Sequence, residues 1–295
     1  NNDINVDVRL ICSSSKDLKQ EIELGNFRED LFHRLNVFEI NIKPLSERIS
    51  DIPLLIKYFS NNLTSMINLL DIMNRYNCKN FIFSSSCTVY GQPKNIPVTE
   101  DAAMMPAHSP YGETKQMCEK ILNYCAAANN FKVICLRYFN PIGAHHSVQI
   151  GELPIGTPQN LVPFICQSAA GKRGKIKIWG NDYNTPDGTA IRDYIDINDL
   201  AEAHVCAVSN QNDLSNNFNV FNIGSGEGKS VLEIIKNFEE INEIELNYEF
   251  SDRRPGDVEK IFCNPAKAEK FLHWSAKTSL KESLNTAWKW QKKLK

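Results

Sequence analysis

From Asn62 to Tyr76 the apolar positions are Leu63, Met66, Ile67, Leu70 and Met73, which is the three-and-four spacing of a helix with one buried side. The pattern then changes. Phe81-Ile-Phe83 is a short unbroken apolar run of the kind that forms a buried strand, and Val133 to Leu136 is the next such run. Between them, Ser109-Pro110 opens a long helix in which Met117, Ile121 and Leu122 face inward. Further helices are predicted at Leu161–Ala170, Ile197–Val208, Val231–Glu239, Ala266–Leu272 and Leu280–Lys292, and strands at Lys175–Trp179, Val220–Ile223 and Ile244–Phe250. Upstream, Val8 to Cys12 reads as a short buried strand, and Lys16–Glu23 and Arg28–Leu35 as helices about a turn at Gly25. Val37 to Ile42 alternates like a strand until Pro44 stops it, and Asp51 caps a helix that has Pro53 in its first turn. Strand and helix patterns that alternate in this way define an α/β chain.

Charge and composition exclude several classes. The net charge is −2 and the pI about 6.4, so no overall basic field draws nucleic acid or an anionic membrane. No apolar run approaches the ~18 residues of a spanning helix. The opening residues mix charge and polarity without the core of a signal peptide. Nine cysteines, with no Cys-x-x-Cys pair, fit thiols kept reduced, so the cytoplasm is the expected compartment and no metal site is expected.

Candidate chemistry centres on Tyr111-Gly-Glu-Thr-Lys115 and on Ser84-Ser85-Ser86 at the C-terminal end of the first downstream strand. A Tyr and a Lys at i and i+4 share one helix face. An ammonium held there favours the phenolate, so a phenol with an ordinary pKa near 10 can act as a base. A serine hydroxyl brought in from a strand end can relay or hydrogen-bond the same proton. This is the proton-transfer half of a nicotinamide enzyme. The dinucleotide half normally begins with a strand and a Gly-rich turn upstream, and nothing before Ser84 reads that way.

The serine strand and the Tyr-x-x-x-Lys helix together are similar to those of extended short-chain dehydrogenases. Later segments narrow the likeness: Leu136-Arg-Tyr-Phe-Asn-Pro-Ile-Gly-Ala-His145, Gly156-Thr-Pro-Gln-Asn-Leu-Val-Pro163, Trp179 through Ile195, Asn222-Ile-Gly-Ser-Gly226 and Arg253-Arg-Pro-Gly-Asp257. From about residue 61 to the C-terminus the chain resembles the UDP-glucose 4-epimerases. The resemblance implies a Rossmann-like parallel sheet, here lacking its usual N-terminal strands, interleaved with a smaller C-terminal α/β substrate domain. It implies NAD as cofactor, UDP-galactose and UDP-glucose as substrates, and a family often dimeric through helices that include the one bearing Tyr111.

In that family's mechanism Tyr111 takes the sugar 4-hydroxyl proton with help from Ser86, while hydride passes from C4 to NAD and later returns to the other face of a 4-keto sugar. Lys115 would bind the nicotinamide ribose, and Asn61, Ser86, Tyr111 and Phe139 match positions that touch NAD. The UDP-sugar positions map onto Ser84, Ser85, Asn140, Asn160, Leu161, Trp179, Arg192, Arg254 and Asp257. Arginine forks suit a diphosphate, an indole face suits uracil, and a carboxylate suits ribose hydroxyls. Ile261 falls where family members differ in side-chain size, a difference linked to whether N-acetylated sugars fit.

Residues 5–58 have another character. Asp7-Val-Arg-Leu-Ile11, Lys16-Asp17-Leu18, Gly25 through Leu35, Pro44-Leu-Ser-Glu-Arg48 and Asp51-Ile-Pro-Leu54 resemble the middle of the AAA+ ATPase domain of sigma-54-dependent activators. The likeness would make Arg28 and Arg34 arginine fingers, but the phosphate loop, the Mg-binding acidic strand and the sigma-contacting loop are missing from it, so solvated helix charges are the better expectation. Residues 1–60 thus stand as a fragment foreign to 61–295, in the place where the epimerase family carries its Gly-rich turn. The remaining sheet is then expected to present a buried-type edge, which strands at 8–12 and 37–42 would partly cover. Alternatives therefore stay open: an inactive fused fragment, a remnant of a sigma-54-type regulator, or a related nucleotide-sugar dehydratase, although dehydratases carry an acidic pair where Cys87-Thr88 stands. Two further segments carry no chemistry. Gly224-Ser-Gly-Glu-Gly-Lys-Ser230 is one residue short of a phosphate loop, and His145-His146 lacks a second ligand cluster.

Overall fold

The computed structural model describes residues 18–35, 58–129, 131–254 and 256–294. The chain divides into two compact units, Asn1–Ile52 and Pro53–Lys295. In the first, α1 (Leu18–Glu23) and α2 (Glu29–Leu35) flank the turn at Gly25, where φ is +75°. Arg28 forms a fork to Asp30 at 2.9 and 2.7 Å, an exposed local pair as expected for a solvated charge. The expected strands at 8–12 and 37–42 and the helix after Asp51 lie outside the described residues.

The second unit is a three-layer α/β arrangement in its first half. A π-helical turn (Phe59–Thr64) runs into α3 (Ser65–Arg75), then β1 (Asn80–Ser86), a 3-10 turn (Cys87–Tyr90) and the long α4 (Pro110–Asn129). The helix predicted from Asn62 thus begins as a wider turn and becomes regular at Ser65. The sequence places Pro110 at the first helical position of α4, where its missing N–H costs nothing, and Ser109 Oγ accepts from the Gly112 N–H at 3.1 Å. β2 (Lys132–Tyr138) pairs in parallel with β1 on one side and with β6 (Phe218–Ile223) on the other, giving the sheet order β1-β2-β6.

Residues of β2 alternate between two cores, as a strand buried on both faces requires. Val133 and Cys135 pack with Met66, Leu70 and Met73 of α3 and with Cys118, Leu122 and Ala126 of α4. Ile134 and Leu136 pack on the other face with Leu200, Ala203 and Ala207 of α6 (Ile197–Asn210) and with Ala268 and Leu272 of α8 (Ala266–Leu272). Odd positions of β1 and β2 therefore face α4, and even positions face α6.

The second half builds the smaller lobe. β3 (Asn140–Ile142), β5 (Ile191–Asp196), β7 (Gly228–Ser230) and β9 (Lys260–Ile261) form a sheet around β5, with β7 antiparallel and the others parallel. β4 (Ile176–Trp179) and β8 (Tyr248–Ser251) make a separate parallel pair. α5 (Leu161–Ala169), α7 (Val231–Asn242) and α9 (Leu280–Lys293) close a core around Ile165, Ile178, Ile235, Phe238 and Leu284. The helices fall within a few residues of their predicted spans. The four strands of the β5 sheet were not predicted, because they are short or polar: Asp193 is fully buried there, and a buried carboxylate breaks any apolar pattern.

Candidate active site at the end of the first strand

Strand β1 ends among the three serines, and pleating separates them. Ser84 and Ser86 share one face. Ser85 points to the other, is fully buried, and donates its hydroxyl to Glu119 Oε1 at 2.5 Å. The structure therefore does not bring Ser85 to the site, contrary to the expectation that it touches the sugar. Ser86 also closes the following 3-10 turn: its Oγ accepts from the Thr88 N–H at 3.2 Å and from the Thr88 hydroxyl at 3.0 Å.

Helix α4 lays Tyr111 and Lys115 over this strand end. The Tyr111 side chain lies near that of Ser86, close enough for the serine hydroxyl to lower its pKa. The Lys115 ammonium donates to the Ser84 carbonyl at 2.7 Å and lies 4.8 Å from the Phe83 ring centroid and 5.4 Å from that of Tyr111. Burial pushes the Tyr111 phenol up to about 12, reinforced by the nearby Tyr138 and opposed by the Ser86 hydroxyl. Burial likewise lowers Lys115. Burial thus moves the phenol in the direction opposite to that expected from a neighbouring ammonium. Tyr58 meets the Tyr111 ring edge-on at 5.6 Å.

Two participants, His204 and Asn62, carried no sequence signal of their own. His204 of α6 approaches Ser84, with Nε2 to Oγ at 3.3 Å. Its Nδ1 lies 2.9 Å from the Leu200 carbonyl and donates there, since a carbonyl can only accept. Asn62, rather than its neighbour Asn61, reaches α4, donating to Thr114 Oγ1 at 2.9 Å, whereas Asn61 is exposed. Phe139 is buried beside Cys87, Val89, Tyr90, Cys263 and Ile261, so Ile261 sits in the wall shared with a proposed cofactor contact.

Of the residues matched to UDP-sugar contacts, three come together. Asp257 Oδ1 accepts from Arg254 Nη2 at 2.8 Å and lies 3.7 Å from Arg192 Nη2. The adjacent Arg253 goes elsewhere, pairing with Asp182 at 2.7 Å over the Tyr183 ring. Trp179 ends β4 with 42% of its surface exposed, an indole face open to stacking. Asn140 begins β3 half-buried, and Asn160 and Leu161 mark the start of α5, with Asn160 Nδ2 3.4 Å from Glu152. Asp193 clasps the Gly224–Gly226 turn, accepting from the Ser225 and Gly226 N–H groups at 2.8 and 3.1 Å, so that segment is occupied structurally. The rings of His145 and His146 stack at 3.9 Å, and among the described residues no cluster of metal-ligating side chains occurs. Among those same residues no helix is long and apolar enough to cross a membrane.

A parallel sheet flanked by helices, with serine, tyrosine and lysine converging at a strand's C-terminal end, defines the short-chain dehydrogenase type of site. Residues 53–224, more than half of the chain, match the NAD dependent epimerase/dehydratase family, and the chain belongs to it. The UDP-glucose 4-epimerase of Bacillus subtilis (strain 168) is 47% identical over 251 residues, which cover 85% of this chain and 73% of that protein. UDP-glucose 4-epimerase 2 of Arabidopsis thaliana is 42% identical over 250 residues, covering 84% and 70%. Among solved structures, the UDP-glucose 4-epimerase of Bifidobacterium longum, in complex with NAD+ and UDP, superposes with a TM-score of 0.78 at 36% identity, covering 95% of this chain and 83% of that one. Separately, residues 1–41 match the sigma-54 interaction domain.

Proposed function

We propose that the chain is a UDP-glucose 4-epimerase that interconverts UDP-galactose and UDP-glucose through a 4-keto sugar. The observation that carries this is Lys115 on the Ser84 carbonyl with Tyr111 beside Ser86 at the same strand end, in a chain 47% identical to such an enzyme over 251 residues. NAD, when bound, accepts and returns the hydride at sugar C4. Tyr111 holds and moves the 4-hydroxyl proton, and Ser86 orients the phenol and the sugar oxygen. Arg192 and Arg254 bind the diphosphate, Asp257 takes ribose hydroxyls, and Trp179 stacks on uracil. Asn140, Asn160 and Leu161 line the same ligand, and Ser84 contributes from the strand end.

The nicotinamide end of NAD fits the residues present. An ammonium has three donors, and Lys115 uses one on Ser84, which leaves two for ribose hydroxyls. Asn61 and Phe139 match family positions that touch NAD, Phe139 buried and Asn61 exposed. The pyrophosphate end does not fit in the same way. Gly25 is the only glycine in residues 1–83, so no Gly-rich turn occurs in that stretch. This favours a second reading, in which residues 1–60 are an AAA+-like fragment joined to an epimerase region that does not turn over in this form.

A coupled assay with added NAD separates the two. The epimerase reading expects UDP-galactose to yield UDP-glucose and Tyr111→Phe to abolish the conversion. A folded wild-type chain that produces no UDP-glucose rejects it and leaves the fused-fragment reading standing.

A further inference from the structure

We propose that Glu119 and Arg137, together with Ser85, are positioning residues that fix the height and rotation of α4 over the sheet, and through it the reach from Tyr111 to Ser86. The proposal rests on the epimerase reading. Ser85 and Arg137 are register partners on β1 and β2, both on the face that carries α4. Glu119 drops from α4 between them. Its Oε1 accepts from Ser85 Oγ at 2.5 Å and from Arg137 Nε at 3.0 Å, and its Oε2 accepts from Arg137 Nη2 at 2.6 Å. All three side chains are at most 3% exposed.

A bidentate guanidinium–carboxylate fork has one good geometry, whereas apolar contacts tolerate sliding. The apolar contacts of α4 are Cys118, Leu122 and Ala126 with Ile121 and Cys125 half-buried beside them, none of which supplies a directional bond to the sheet. A slip of one residue along the helix axis moves Tyr111 by about 1.5 Å. Glu119 lies one turn beyond Lys115 and two beyond Tyr111 on the same stripe, so a carboxylate held there holds both. The strand side is anchored as well. The Arg137 guanidinium lies 4.8 Å from the Tyr90 ring centroid, and the Tyr90 hydroxyl donates to Asn222 Oδ1 at 2.6 Å. Tyr90 ends the turn that starts at Ser86, so the clamp grips the chain just before and just after that serine. Stability alone does not call for such a pair, since apolar residues of similar volume serve a buried site as well.

The test uses two variants. Ser85→Ala/Glu119→Met/Arg137→Met replaces the clamp by apolar side chains, and Glu119→Asp keeps the charge but withdraws it by one methylene. The readouts are kcat and KM for UDP-galactose with added NAD, and the fluorine resonance of Tyr111 in 3-fluorotyrosine-labelled protein, assigned by its loss in Tyr111→Phe. The expected result is a triple variant that still unfolds cooperatively, with kcat lower by on the order of 10²-fold, KM within about twofold, and a displaced Tyr111 resonance; Glu119→Asp shows a smaller loss. A folded variant with wild-type kcat and an unmoved Tyr111 resonance overturns the proposal. If the wild type shows no turnover, the epimerase reading fails and the fluorine resonance alone decides on the clamp: displaced in favour, unmoved against. If the triple variant does not fold, Glu119→Asp decides by the same two readouts.

Discussion

Burial pushes the Tyr111 phenol from 10 up to about 12. The consequence for stability has a definite sign. Below pH 10 the folded and unfolded chains both hold the proton. Between about 10 and about 12 only the folded chain does, so stability falls as pH rises through that window. Urea midpoints at pH 9 and 11 are expected to drop further for the wild type than for Tyr111→Phe. The thiols follow the same physics. Burial raises Cys87 and Cys166 to about 12 and Cys118 to about 11, whereas Cys78 is exposed. Brief alkylation of the folded protein at pH 8, mapped by mass spectrometry, is expected to label Cys78 and to spare those three. At this scale the meeting of Tyr111, Lys115 and Ser86 at one strand end was legible, since they announce themselves by type and spacing. The Ser85 assignment departed from what pleating implies, because a strand cannot present three consecutive serines to one side. His204 was not legible: its partner Ser84 lies on a distant element, and nothing local marks it.

At the scale of elements, helices were read well because their caps and stripes are local. Ser279 is an example, accepting from the Glu282 N–H while Glu282 returns to the Ser279 N–H. Ser279→Ala is expected to lower stability by about 1 kcal/mol, measured by urea unfolding, without changing any site distance. Truncating one side of the clamp should cost more. Arg137→Ala leaves the Glu119 carboxylate buried without its counter-charge, and a loss of about 3–5 kcal/mol is expected in the same measurement. The short strands of the smaller lobe were missed for a physical reason. β5 carries Arg192, Asp193 and Asp196, whose burial is repaid by hydrogen bonds that come from remote segments, such as Ser283 Oγ to Asp196 at 2.6 Å. A pattern of polar letters cannot reveal bonds that only the fold supplies.

For the molecule as a whole, the residues from 53 onward carry the family, while residues 1–41 match an unrelated domain. The two halves of a dinucleotide should therefore be held unequally. Calorimetry is expected to give nicotinamide mononucleotide and NAD dissociation constants within about tenfold of each other, because the adenosine side finds no Gly-rich turn in residues 1–83. NAD binding that exceeds the mononucleotide by more than that would show another route to the pyrophosphate. Fold class was legible throughout, since alternating periods of helix and strand are a property of the whole chain. Which strand borders which was not, because pairing partners such as β2 and β6 are far apart in sequence.

Lys115 is anchored by the main-chain oxygen of Ser84, while the Ser84 hydroxyl turns to His204. One residue thus keeps two accounts of itself, and only one is written in its side chain. A saturation library at position 84 would disturb the histidine contact in almost every clone and would retain the lysine's oxygen in all of them. Tolerance scored at that codon reports on the helix behind the sheet, and isotope-edited infrared of the Ser84 carbonyl is the probe that reports on the lysine in front.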